Sequence, residues 1–218
     1  MDLSTWTGAP APQKEVLSGR YVRLEPLTAA HTRDLFDFSA AAGADERFRY
    51  MAELPPTSES EFGEWVARAS DSTDPLFFAV VDQATGRAEG RQALMRIDAG
   101  NGVIEVGNIV WGPRLARTRG ATEALFLLAD YVFGLGYRRF EWKCNALNEP
   151  SQRAAARFGF TAEGVFRQHM VIKGAGRDTA WFSMLDSEWP RLREAYLAWL
   201  APENFDEAGQ QRSALATR

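Results

Sequence analysis

The chain has 218 residues, of which 45% are hydrophobic and 25% are charged, and its formal net charge is −4. These values predict one globular domain with a substantial core and disfavour a disordered or fibrous chain. No apolar run approaches the roughly 18 residues that span a bilayer, and the first residues lack the basic and apolar segments of a signal peptide. We therefore expect a cytoplasmic protein with no membrane partner, and the net charge disfavours nucleic acid as a partner.

Cysteine and histidine are too scarce in this sequence for a metal centre. Cys144 is the only cysteine, which excludes an intramolecular disulfide and a zinc site with several thiolates. His31 and His169 are the only histidines, and neither has the spacing of a metal ligand. The sequence therefore predicts no metal site.

Hydrophobic periodicity divides the chain into an extended arm (1–16), one domain (17–200) and a polar, mobile tail (201–218). The domain begins with a strand around Val22, a helix capped by Thr28, and a second helix opened by a capping box at Ser58. Turn residues between the next three strands favour an antiparallel meander. The predicted elements that follow are strands at 76–82, 91–98 and 103–111, a helix ending at 134–136, a strand at 139–144, a helix at 151–158, strands at 160–169 and 179–185, and a helix at 189–200. This mixed order predicts an α/β or α+β fold with parallel and antiparallel pairing.

The segment from Trp111 to Ala124 leaves a predicted strand, passes through an arginine-rich loop and enters an amphipathic helix. Unpaired backbone N–H groups at the positive end of a helix dipole suit a pyrophosphate, and Arg114, Arg117 and Arg119 add positive charge. An ordinary capped helix start with exposed arginines fits the local sequence equally well. A P-loop is excluded because the chain has no Gly-x-x-x-x-Gly-Lys-Ser/Thr.

Five segments of the chain carry the pattern of one family. The first is Arg117-Thr118-Arg119-Gly120-Ala121-Thr122, and the others are Glu105-Val106-Gly107, the run from Asn145 to Ser151, the run from Phe158 to Gly164, and Asp186-Ser187-Glu188-Trp189-Pro190. Together they resemble the GNAT acetyltransferases, and Gly-x-Thr-Glu-Ala resembles the RimJ/RimL branch, which acetylates protein N-termini and related amines. Thr122 departs from the family signature, which has a small residue there. The resemblance covers about residues 17–190.

The resemblance implies the GNAT fold, a mixed and mostly antiparallel sheet flanked by helices, in which a central parallel pair of strands splays apart. Here the pair would be 103–111 and 139–144. It also implies acetyl-coenzyme A (acetyl-CoA) as the cofactor, with its pantetheine arm in the slot and its pyrophosphate on the loop before the helix. The expected cofactor-binding residues are Ile109, Val110, Trp111, Arg114, Arg117, Thr118, Arg119, Gly120, Ala121, Thr122 and Asn148.

The family's usual chemistry, direct attack of an amine on the thioester, implies an acid, a base and an oxyanion donor in the slot. A backbone N–H near Val110 or Trp111 would be the oxyanion donor. Ser151 is the candidate acid for the departing sulfur because it begins the helix beside the slot, although an N-cap role fits it equally. Glu105 is the candidate base, acting through a water; otherwise it is an exposed strand glutamate or one paired with an arginine. The alternative bases are Glu163 and His169.

Cys144 is a candidate nucleophile for a ping-pong route, with His169 as its partner. Its alternation with Phe140 and Trp142 instead favours a small residue on a buried strand face. The tryptophans fit either an acceptor pocket or the core, and the core is favoured. They are Trp111, Trp142 and Trp181.

Two functions of different class follow from the resemblance. The first is transfer of an acetyl group from acetyl-CoA to a primary amine, either a protein N-terminus or a small molecule. The second is a module of the same fold that binds acyl-CoA as a sensor or scaffold without turnover. The sequence does not select the acceptor, and it leaves a monomer and a homodimer open.

Overall fold

A computed structural model describes residues 3–217, so the first two residues of the predicted arm and the last residue of the predicted tail lie outside the described range. Its strands are β1 (Leu17–Ser18), β2 (Val22–Pro26), β3 (Leu76–Asp82), β4 (Ala88–Asp98), β5 (Val103–Trp111), β6 (Arg139–Asn145), β7 (Thr161–Ile172) and β8 (Ala175–Leu185). Its helices are α1 (Thr32–Ser39), α2 (Ala44–Phe48), α3 (Glu59–Asp71), α4 (Arg119–Gly134), α5 (Glu149–Arg157) and α6 (Trp189–Leu200). Within residues 3–217 no helix has both the length and the apolar character needed to cross a membrane.

The eight strands form one sheet in the order β1-β2-β3-β4-β5-β6-β8-β7. Neighbouring strands are antiparallel except β5 and β6, which are parallel. The predicted meander and the predicted fold class are therefore confirmed. Residues 103–106 pair with residues 139–142, and no pairing follows, although β5 continues to Trp111 and β6 to Asn145. Beyond this point the two strands separate, and we call the resulting gap the splay.

Two cores lie on opposite faces of the sheet. One face packs on α4, α5 and α6, and its core includes Ile104, Val106, Trp142 and Cys144. We call it the α4 face. The other, which we call the α3 face, packs on α1, α2 and α3 over β3, β4 and the far end of β5, where Val110 is buried. Because side chains alternate along a strand, Glu105 lies on the α3 face of β5.

Several element boundaries differ from the prediction, and those of α5, β7 and β8 do so for identifiable reasons. α5 begins at Glu149 because the side chain of Asn148 accepts a hydrogen bond from the N–H of Ser151, which makes Asn148 the N-cap. The N-cap role considered for Ser151 was therefore wrong. β7 and β8 are longer than predicted and form a hairpin that turns at Lys173 and Gly174, both with positive φ. The residues of β7 and of the first part of β8 are mostly exposed, so the pattern of buried positions that marks a strand is absent there.

The two terminal segments pack against the domain where they are described. In the arm, the indole N–H of Trp6 donates to the carbonyl of Gly100 at 2.7 Å. In the tail, Phe205 and Leu215 are buried in the core of the α4 face, unlike the side chains expected of a mobile segment. The division into arm, domain and tail otherwise stays a prediction.

Candidate active site

A β-bulge marks the start of the splay on β5. The register pairs Gly107 with Ala93 and Val110 with Arg91, so that Asn108 and Ile109 lie opposite a single residue of β4. Asn108 has φ +51°, a left-handed conformation that few residues other than glycine adopt. The predicted cofactor residues of this strand divide between the faces. Ile109 and Trp111 pack on the α4 face, whereas Val110 is buried on the α3 face.

The start of α4 offers free backbone donors, as expected of an anion site. Thr118 caps the helix, since its hydroxyl oxygen accepts from the N–H of Ala121 at 3.4 Å. Within the described part of the chain, the N–H groups of Arg119 and Gly120 have no hydrogen-bond acceptor. A Cβ on Gly120 would lie 3.0 Å from Val22, so glycine allows the helix start to pack closely on β2. These two N–H groups at the positive helix end suit a phosphate.

The three predicted phosphate-binding arginines are in different environments. The Arg119 guanidinium lies 4.3 Å from the centre of the Tyr21 ring, and Arg114 lies 3.5 Å from a carboxylate oxygen of Glu89. Arg117, which has φ +66°, makes no ion pair or ring contact with any described residue. Its charge is therefore the one that is uncommitted at the helix start.

Ala121 and Thr122 shape the helix start rather than offer free donors. Both side chains are buried, and the Thr122 hydroxyl accepts from Arg157 at 3.1 Å. The N–H of Ala121 is bonded to the side chain of Thr118 and that of Thr122 to the Thr118 carbonyl. Their predicted contact with a cofactor stays a prediction.

Ser151 lies on the α4 face in the first turn of α5. Its hydroxyl oxygen accepts a hydrogen bond from the indole N–H of Trp142 at 3.0 Å. Burial raises the pKa of the Cys144 thiol, and the nearby Ser151 opposes that rise. A hydroxyl that accepts from one group is a better donor to another, so Ser151 can give a proton to a nearby sulfur.

Glu105 is the buried carboxyl group of the α3 face, with 2% of its side chain exposed. One carboxylate oxygen lies 3.2 Å from the Lys143 ammonium and 3.3 Å from the Arg96 guanidinium. Burial raises the pKa of Glu105 to about 7, and the charges of Lys143 and Arg96 oppose that rise. A carboxyl group with this pKa can take up a proton near neutral pH. The pairing with an arginine, which was the alternative interpretation of Glu105, is therefore present. The carboxylate is also paired with Lys143 and is deeply buried.

The other candidates from the sequence are less suited to proton transfer. Glu163 accepts two bonds from Arg139 and one from Ser183, and the Arg139 bond is the main reason that its pKa falls to about 2. Such a carboxylate is a weak base. His169 bonds the Thr179 hydroxyl at 3.0 Å on the exposed hairpin. Cys144 is buried in the core of the α4 face, which confirms its prediction as a core residue.

Several residues that shape this site were not predicted from the sequence. Lys143 and Arg96 form ion pairs with Glu105. The signal for Lys143 was the parallel pairing of β5 with β6, which places it on the same face of the sheet as Glu105. Glu123 lies within the family-like segment at the α4 start, and its carboxylate accepts hydrogen bonds from the N–H groups of three residues at the β1–β2 turn and the start of β2. They are Arg20, Tyr21 and Val22, at 2.7, 2.6 and 2.8 Å. This contact ties α4 to the turn and places Tyr21 beside Arg119.

The fold and this site are those of an acyltransferase. The family model described as an acetyltransferase (GNAT) domain matches residues 22–161, a span that includes the splay, Glu105, the α4 start and Ser151. The chain belongs to the GNAT acetyltransferase family, whose members transfer an acyl group from acyl-CoA.

Known proteins resemble this chain to different degrees. A GCN5-related N-acetyltransferase from Brucella melitensis is 60% identical with a TM-score of 0.96, and the match covers 98% of this chain and 97% of that one. An uncharacterized N-acetyltransferase from Bacillus licheniformis is 28% identical over 149 residues, which are 65% of this chain and 81% of the relative. An acetyltransferase from Salmonella typhimurium, described as modifying the N-terminal serine of a 50S ribosomal subunit protein, is 18% identical with a TM-score of 0.68 over 78% of this chain and 99% of that one. This last likeness shows the fold alone.

Proposed function

We propose that the protein is an N-acetyltransferase that transfers an acetyl group from acetyl-CoA to a primary amine by direct attack in a ternary complex. The observation that carries the proposal is that Glu105 and Ser151 lie on opposite faces of the sheet beside the splay. A thioester in the splay would have a base on the side where the amine enters and a hydroxyl on the side where the sulfur leaves.

The donor would be held by backbone groups more than by side chains. The unpaired parts of β5 and β6 can bond the amides of a pantetheine arm, and the free N–H groups of Arg119 and Gly120 can bond a pyrophosphate. Arg117, whose charge is uncommitted, adds electrostatic attraction. The residues present therefore fit coenzyme A, and Asn148 orients Ser151 by its hydrogen bond.

Glu105 would remove the proton of the acceptor ammonium, directly or through a water. An α-amine has a reference pKa of about 8 and a lysine amine one of about 10.4, so a base with a pKa near 7 suits the α-amine better. The amine nitrogen then forms the new bond to the acetyl carbon as the bond to sulfur breaks. The nitrogen then loses its second proton to solvent, which leaves the neutral amide. Ser151 gives its proton to the thiolate and regains one from solvent, and a backbone N–H near Val110 or Trp111 stabilises the oxyanion.

The acceptor class follows from the same argument. We propose a protein N-terminus or a small molecule with an α-amine, in keeping with the RimJ/RimL-like segment at the α4 start. A cytoplasmic location fits such acceptors. The second candidate, a sensor that binds acyl-CoA without turnover, is disfavoured because Glu105 and Ser151 are both beside the splay.

The test is release of free thiol from acetyl-CoA by the purified protein, with short peptides of varied N-termini and a panel of small amines as acceptors. Release with one acceptor class supports the enzyme and identifies that class. Calorimetric binding of coenzyme A without release from any acceptor would contradict turnover and favour the sensor. Failure to bind coenzyme A would contradict both.

A further inference from the structure

Arg91 of β4 is a fully buried arginine beside the bulge, with 1% of its side chain exposed. One end of its guanidinium pairs with the carboxylate of Glu53, and the other donates to the carbonyl of Asn108 at 3.4 Å. Its plane lies 4.3 Å from the centre of the Trp65 ring on α3. Burial lowers the pKa of Arg91, and the charge of Glu53 opposes this effect. Burying a guanidinium is costly unless its bonds are made, so its position beside the bulge calls for a role.

The bond to Asn108 fixes the direction of one peptide group. In a trans peptide the carbonyl of one residue and the N–H of the next point in opposite directions. Because the Asn108 carbonyl faces the Arg91 guanidinium, the N–H of Ile109 points away from that group. β4 pairs with one edge of β5, and the splay lies along the other.

Arginine is suited to this position because its planar fork donates in two directions at once. Glu53 lies in the connection between α2 and α3, and its side chain is 29% exposed. Two hydrogen bonds join this part of the chain to other elements: the Tyr50 hydroxyl donates to the carbonyl of Leu147 before α5, and Lys173 in the β7–β8 turn donates to the carbonyl of Phe48 at the end of α2. Arg91 thus connects this segment, which crosses to the loop before α5, with the bulge.

We propose that Arg91 is a positioning residue that holds the Asn108–Ile109 peptide so that the N–H of Ile109 is the oxyanion donor in the splay, with Glu53 as the counter-ion that keeps the guanidinium in place. The proposal rests on the proposed acetyl transfer, and it goes further because it names the donor and the side chain that aims it. Arg91 itself does not touch the reacting atoms.

The experiment is isotope-edited infrared spectroscopy of acetyl-CoA, labelled with ¹³C at the thioester carbonyl, bound to the full chain without acceptor. A hydrogen bond to a carbonyl lowers its stretching frequency, so the wild type is expected to show a red shift relative to free acetyl-CoA. Arg91→Met should lose that shift, and its kcat should fall about 100-fold or more, as for removal of one oxyanion donor. Its Kd for coenzyme A should change less than about threefold, which is well under 1.4 kcal/mol.

Matched variants separate positioning from loss of stability. Phe77→Leu changes a buried residue of the same core, away from the bulge, and should retain the red shift even if the melting temperature falls. Arg91→Lys and Glu53→Gln are milder and should each give a partial loss of the shift, which keeps the proposal testable if Arg91→Met does not fold.

The possible results distinguish failure of the Arg91 positioning role from failure of the proposed acetyl transfer. A red shift that persists in every Arg91 and Glu53 variant would overturn the positioning role, and so would a wild type that binds acetyl-CoA without a shift. Loss of the shift together with retained coenzyme A affinity supports it. A wild type that shows the shift but transfers acetyl to no acceptor would count against the proposed function while leaving the assignment of Arg91 supported.

Discussion

Two glutamates on the α3 face of the sheet, Glu105 in β5 and Glu163 in β7, each lie beside an arginine, yet their proton chemistry differs. Glu163 is 39% exposed and accepts bonds from Arg139 at 2.5 and 2.7 Å and from Ser183 at 2.7 Å. Glu105 is 2% exposed, and its ion pairs, at 3.2 and 3.3 Å, are longer. The pKa of Glu163 falls to about 2, whereas that of Glu105 rises to about 7.

The difference shows that burial and bonding geometry, and not the presence of a cation, decide which carboxyl group can act as a base. Short, aligned donors stabilise the ionised form of Glu163 and leave it no tendency to accept a proton. Around Glu105 the loss of water outweighs the attraction of Lys143 and Arg96. Glu163 therefore has the contacts of a structural residue that ties β7 to β6, and Glu105 has those of a proton acceptor.

The largest expected effect is that of Glu105→Gln, which should lower kcat by about 10²- to 10⁴-fold. The wild-type kcat should rise with pH through about 7, because the base must be ionised, and the variant should lack that rise. Steady-state kinetics from pH 5.5 to 9, with the acceptor identified by thiol release, checks both.

The control for that variant is Glu163→Gln. It removes a carboxylate of the same face without touching the splay, so kcat and its pH profile should stay close to those of the wild type. The opposite result, an inactive Glu163 variant beside an active Glu105 variant, would reverse the comparison.

A smaller effect is expected on the α4 face, where Ser151→Ala should lower kcat by roughly 10- to 100-fold. A thiol has a reference pKa of about 8.5, so the departing sulfur needs less help than the acceptor nitrogen. Coenzyme A affinity, measured by calorimetry, should be nearly unchanged. Ser151→Cys serves as the matched variant that retains a proton donor. Unchanged turnover in Ser151→Ala across the pH range would leave Ser151 as a partner of Trp142 only.

The next effect is expected at the start of α4, where the pyrophosphate of coenzyme A would bind. Arg117→Glu should weaken coenzyme A binding by roughly tenfold, about 1.4 kcal/mol. The substitution places a negative charge at the positive end of α4, and the loss should be smaller at high salt. Arg33→Glu, on the exposed side of α1, makes the same change in net charge and should leave affinity unaltered. Equal affinities for the two variants would remove the α4 start from the cofactor site.

Much of this arrangement could be predicted because it depends on local pattern. The alternation of Phe140, Trp142 and Cys144 predicts one buried face of β6, and the arginine-rich turn before an apolar helix predicts a helix start with free donors. Turn residues between β3, β4 and β5 predict their antiparallel order. Each of these features is set by residues close together in the chain.

The contacts that decide the chemistry could not be predicted in the same way. Glu105 meets Lys143, and Arg91 meets Glu53, across 38 positions in each case. Such pairs depend on strand register and on the bulge, which hydrophobic periodicity does not specify. The N-cap of α5 was misplaced for a different reason, since both Asn148 and Ser151 are good caps and the sequence does not distinguish them.

A separate effect is expected on stability, where the two carboxyl groups should respond to pH with different signs. The folded state raises the pKa of Glu105 from 4.5 to about 7, so it binds more protons than the unfolded state between those values, and the contribution of Glu105 to stability falls as pH rises through that window. Glu105→Gln does not titrate, so from pH 5 to 8 the free energy of unfolding of the variant should improve relative to the wild type by an amount on the order of 1 to 3 kcal/mol. The pKa of Glu163 is lowered, so its contribution is fully present above pH 4.5 and is lost as pH falls toward 2. Urea unfolding of both variants at pH 5 and 8 should therefore show a pH-dependent difference for Glu105→Gln and a constant one for Glu163→Gln, and equal behaviour of the two would mean that burial does not set the proton affinity of Glu105.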